Sequence, residues 1–106
     1  MNTFDEREKA FEAKFKQDEE LKFKLKAKRN KLLGEWASET LQKENRDEYI
    51  KEVRESDLKR PGDEDIIEKL MKDFSSANQE ITREKLLQKF IECEKKAREE
   101  LIEQNS

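Results

Sequence analysis

The sequence contains no histidine. That removes imidazole metal ligands, the commonest general base, and the side chain that changes charge near neutral pH. It contains one cysteine, Cys93, which cannot close an internal disulfide. Its expected part is that of a small helix residue in a reducing compartment. Two glycines and one proline leave long stretches free to be helical, and they supply no Gly-rich phosphate loop. No run of about 18 apolar residues exists, so no membrane-inserted helix is expected. The opening residues MNTFDEREKAF are charged rather than apolar, so no secretory signal is expected either.

Apolar residues are also scarce. Leu, Ile, Val and Phe together number 23 of 106, against 24 Lys and Arg and 27 Asp and Glu. That lies near the roughly 20% below which highly charged chains stay disordered. The net charge of −3 is small, however, so self-repulsion is weak. The composition points to a single small all-α domain with a thin core, able to bury about two-thirds of its unfolded surface.

The chain divides by its helical periodicity. Thr3-Phe4-Asp5-Glu6 fits a capping box, in which Thr3 and Glu6 each satisfy a free backbone N–H. Phe4, Phe11 and Phe15 then fall near one line, since steps of seven and four nearly complete whole turns. The line fails at QDEE (17–20), which has no apolar residue. From Leu21, the residues Leu21, Leu25, Lys28, Arg29, Leu32 and Trp36 share a face, with Leu33, Ala37 and Leu41 on its flank. Phe23 and Ala27 fall opposite, beside Gly34. A glycine inside a helix costs about 1 kcal/mol, so Gly34 suggests a close helix contact. Glu35 borders the main face and predicts a solvent-exposed edge.

Asn45 and Glu48 repeat the capping pattern ahead of Tyr49, Ile50, Val53 and Leu58. RPGD (60–63) stops that helix, and Asp63 is a suitable cap for the next. Ile66, Ile67, Leu70, Met71 and Phe74 follow, then a loop, SSANQ (75–79). Thr82 caps a last helix carrying Leu86, Leu87, Phe90, Ile91, Ala97, Leu101 and Ile102. The expected domains are an arm, 1–20, and a body, 21–106, with helices about 21–43, 46–60, 64–75 and 82–104. Short connections make neighbouring helices antiparallel.

Catalytic patterns are missing. No cysteine cluster or nucleophile–base pair is present, so the expectation is a non-enzyme without cofactor or metal. GDEDI (62–66) is acidic but lacks the spaced ligands of a calcium loop, and reads as a helix start. In LKFKLKAKRNK (21–31) six of eleven residues are basic. Lys22, Lys24, Lys26 and Lys28 spread around the helix rather than forming a stripe. A solvated face, a docking face for an acidic protein, and a nucleic-acid or lipid surface all remain open, and no nucleic acid is the leading expectation. The three Phe residues likewise fit two readings. They pack on the protein's own body, or they anchor a helix in a partner's groove.

The order TFDEREKAFEAKF (3–15), KRNKLLGEWASE (28–39), YIKEV (49–53) and RPGDEDI (60–66) resembles the zeta subunit of alphaproteobacterial F-type ATP synthases. The resemblance implies a four-helix bundle preceded by a flexible, partly helical arm. It implies an inhibitor of ATP hydrolysis, cytoplasmic and peripheral on the membrane-bound synthase, and monomeric when free. Its partner is the catalytic head, with alpha, beta and central-stalk subunits. The arm orders as a helix between catalytic subunits and blocks rotation. The partner-binding residues implied are Thr3, Phe4, Arg7, Phe11, Lys14 and Phe15, with Lys9 and Lys16 also at the rim. Two other functions remain in view: a non-inhibitory, synthase-associated binding or assembly module, and a basic helical adaptor for nucleic acid or lipid.

Overall fold

The computed structural model describes residues 3–57 and 62–104, with side chains from Asp5 onward. The described residues form five helices and no strand. The Thr3 capping box, the inner-face position of Leu58 and the stop at Pro61 lie outside the described residues.

The first helix, α1, spans Thr3–Gln17, with Asp5 and Glu6 in its first turn and Lys14 and Lys16 in its last. That distribution opposes the helix dipole at both ends. Asp18 breaks the helix with extended backbone, φ −110° and ψ 103°. Its carboxylate accepts from the N–H groups of Glu20 and Leu21, at 3.0 and 3.2 Å. The polar stretch 17–20 is thus an N-cap that starts α2, Glu19–Thr40. The body helix begins two residues earlier than its apolar pattern, because the cap lies upstream of the first buried side chain.

α2 also ends sooner than the expected residue 43. Gln42 takes a left-handed φ of 54°. Lys43 N–H donates to Ser38 O at 3.0 Å, and Gln42 N–H to Glu39 O at 3.2 Å. This closure normally uses glycine, so a glutamine there gives no warning. α3, Arg46–Ser56, is capped by Asn45, whose side chain accepts from Glu48 N–H at 3.1 Å. The reciprocal bond runs from the Asn45 side-chain amide to the Glu48 carboxylate, not from the backbone. α4 spans Glu64–Ser76 and closes with Asn78 at φ 57°. α5 spans Arg83–Gln104, with Thr82 Oγ1 accepting from Lys85 N–H.

α2 is the central helix, packed along both α3 and α5; α4 lies against α3 and α5, and α1 against α2 and α5. The main core joins Leu33, Ala37 and Leu41 to Tyr49, Val53, Ile66, Ile67, Leu70, Phe74, Leu86, Phe90 and Cys93. Leu21, Leu25 and Arg29 of the expected α2 face are buried, but the C-terminal half of α2 is turned from its expected facing. Leu33 and Ala37 are fully buried, while Leu32 and Trp36 are half-buried at the edge, where Trp36 stacks on Phe74 at 5.3 Å. Contact on two sides by α3 and α5 places the core along the former flank. Ile91 leaves the expected stripe and is 64% exposed. Glu35 is exposed, as its border position implies. At Gly34 the expected close approach is present: a Cβ there would stand 3.1 Å from Ile50 Cα.

Candidate partner-binding site

On α1 the apolar line points inward. Phe11 is 5% exposed and Phe15 half-buried, their ring centroids 5.9 Å apart with planes at 20°. They pack with Leu21 and Leu25 of α2 and with Ala97, Leu101 and Ile102 of α5. This second apolar cluster is distinct from the main core, and Leu32 borders the two. Arg98 of α5 reaches across it. Its Nη1 donates to Glu12 Oε1 at 3.0 Å, and its guanidinium lies 5.8 Å from the Phe15 ring centre.

Of the six residues expected at the partner contact, Arg7, Phe11 and Phe15 share this inner face, four residues apart along α1. Arg7 is half-buried, and its Nε is out of water with no hydrogen-bond partner among the described residues. Lys14 is on the exposed side, as are Lys9 and Lys16. The side chains of Thr3 and Phe4 lie outside the described residues. Glu12 and Arg98 carried no signal in the sequence; only their position beside the Phe line marks them.

The basic run is largely occupied. Lys22 pairs with Glu19, Lys24 with Glu20, Lys26 with Asp57 and Lys28 with Glu100, at 3.3 to 3.6 Å. Arg29 is buried. Phe23 is 65% exposed and borders a cleft of about 320 Å3 between α2 and α3, with Lys26, Lys51 and Arg54 at its rim. Two of those cations are also paired, Lys26 with Asp57 at 3.3 Å and Lys51 with Glu55 at 3.9 Å. A surface so neutralised offers little free charge to a polyanion.

Arg29 and its neighbours form a buried polar cluster that the sequence reading did not identify. Arg29 Nη2 donates to Asp63 Oδ1 at 2.9 Å and Asp57 Oδ2 at 3.3 Å, and Nη1 lies 3.7 Å from Glu94. The guanidinium sits 4.2 Å from the Phe90 ring centre. Asn30 donates to Asp57 Oδ2 at 2.7 Å and accepts from Arg29. Asp63 therefore occupies the N-cap position of α4 without capping it by side chain; its carboxylate is turned to Arg29 instead. One arginine ties α2 to the end of α3, the start of α4 and the middle of α5.

Among the described residues, two groups have displaced acidities. Burial, then the hydrogen bond to Asp73 at 2.7 Å and the charges of Asp73 and Glu52, push the Tyr49 phenol well above its usual value. Burial raises the Cys93 thiol, which suits an inert core residue rather than a nucleophile. Among the described residues no group of three or more His, Cys, Asp and Glu could hold a metal ion. No helix among them is long and apolar enough to cross a membrane.

A family model described as ATPase inhibitor subunit zeta matches residues 1–100. The chain belongs to this family. The match spans α1 as well as α2 to α4 and most of α5, so the N-terminal helix lies within the matched region. A zeta-family chain is an ATPase inhibitor subunit, a regulatory protein rather than an enzyme. No curated protein matches the chain.

Proposed function

We propose that this zeta-family chain inhibits ATP hydrolysis by F-type ATP synthase, with residues 1–20 as the inhibitory arm and residues 21–106 as a four-helix body. The arm enters a groove between catalytic subunits as a helix and blocks rotation of the central stalk. Phe11 and Phe15 are the anchors, joined by Phe4. Arg7 and Lys14 contact the groove's rim, and Thr3 starts the helix. The observation that carries this reading is the family match over residues 1–100. It is supported by a polar helix whose few apolar side chains make one face, joined to the rest through the single non-helical residue Asp18. A helix-in-groove ligand needs such a face. The body raises the arm's local concentration once it rests on the enzyme.

The arm is already helical on its own body, so binding exchanges one apolar surface for another rather than ordering a coil. Burial of Phe11 in its own protein also favours a second reading, a synthase-associated module that binds without inhibiting. The experiment adds the full chain to the isolated catalytic head of the source organism's ATP synthase. Binding with suppressed ATP hydrolysis is the expected result. Binding with unchanged hydrolysis supports the assembly module, and no binding overturns both readings.

A further inference from the structure

We propose that Arg98 is a latch that holds α1 in a docked, non-inhibitory state, and that the chain inhibits only from the undocked minority. This rests on the reading of α1 as the inhibitory element. A single α5 residue grips two successive turns of α1, by the 3.0 Å ion pair to Glu12 and by its guanidinium over Phe15. The same docking hides Phe11, so the groove and the body compete for one apolar face. α1 can leave without dismantling the main core, because its cluster draws on Leu21, Leu25, Ala97, Leu101 and Ile102, none of which belongs to that core. Asp18 supplies a one-residue pivot, and its cap bonds run into α2 rather than back to α1. The docked state is also imperfect, since it holds Arg7 Nε away from water without a hydrogen-bond acceptor among the described residues. Apparent affinity for the enzyme is the intrinsic affinity reduced by the fraction of chains that are undocked.

Two variants of the full chain test this. Arg98→Glu places like charges opposite Glu12 at a partly exposed site. Hydrogen exchange of α1 amides should quicken several-fold while α2 to α5 keep their protection. The half-inhibitory concentration should fall by about three- to tenfold, the range set by the undocked fraction. In the second variant, Glu12→Cys and Arg98→Cys are combined with Cys93→Ala and joined by a short bis-methanethiosulfonate linker. Inhibition should be lost when linked and return on reduction. A linked protein that inhibits as strongly as its reduced form overturns the latch while leaving the inhibitory reading intact. Unchanged α1 exchange in Arg98→Glu, or faster exchange with no gain in potency, overturns it too. If neither the reduced chain nor the wild type inhibits, the functional reading fails and the latch falls with it.

Discussion

Arg29 of α2 donates across 2.9 Å to Asp63 at the head of α4, a residue 34 positions further along the chain. The same side chain is 4% exposed and also serves Asp57, itself 3% exposed. Removing the cation leaves a buried carboxylate without its main counter-charge. Arg29→Ala should therefore cost about 3–5 kcal/mol, the range for breaking a buried ion pair from one side. Urea unfolding followed by Trp36 fluorescence measures it. A loss below about 1 kcal/mol would mean that Lys26 and Asn30, at 3.3 and 2.7 Å from Asp57, suffice.

Phe11→Ala separates the two apolar clusters. Emptying a buried Phe site costs roughly 3 kcal/mol, but here the cost falls on the docking of α1 rather than on the whole fold. Exchange in α1 should approach that of an unprotected helix, while the Trp36–Phe74 contact and the thermal midpoint of the body change little. Inhibition should weaken, because the same ring is the proposed anchor. Cooperative loss of all five helices would show instead that α1 is integral to the core.

Gly34→Ala should destabilise the protein, although alanine gains about 1 kcal/mol of helix propensity over glycine. The added methyl meets Ile50 Cα at 3.1 Å, and backbone cannot move aside as a side-chain tip can. A net loss of about 1–2 kcal/mol is expected from overpacking. Chemical denaturation with the wild type alongside checks the sign, and any stabilisation would place α3 farther from α2.

Tyr49 predicts an alkaline limit. Its phenol titrates higher in the fold than in the unfolded chain, so the unfolded state loses the proton first as pH rises. Stability from this group is complete below about pH 10, the unfolded value, and declines above it. Lys69 and Lys43 lie over the same ring, and Lys69 pairs with Asp73 at 3.1 Å. Tyr49→Phe should flatten the stability–pH curve between about pH 9.5 and 11 relative to wild type, measured by denaturant midpoint. Parallel curves would contradict the assignment.

Much of the fold was legible because caps and stripes are local. Asn45 and Thr82 announce their helices, and Gly34 announces the α2–α3 contact. The facing of the C-terminal half of α2 was not, since α3 and α5 grip it from two sides and the core follows their combined position. Arg29 and Asp57 escaped notice because a charged residue on an apolar stripe reads as the stripe's edge until its partners, distant in sequence, are known. At 17–20 the polar break interrupts the Phe line and leaves both readings of that line open. In the structure Asp18 in that stretch caps α2, and α1 lies back against α2 and α5, so a seam that ends in sequence resumes in space. The Phe line was visible, but which surface receives it depends on Ala97, Leu101 and Ile102, some 85 residues away.

The most direct measurement is a titration of ATP hydrolysis by the isolated catalytic head, with the full chain and with a chain lacking residues 1–17. The main core lies wholly within residues 33–93, so the shortened chain retains it. Inhibition by the full chain alone is the predicted result. Equal inhibition by the shortened chain would contradict the assignment of α1 as the inhibitory element and move that role to the body.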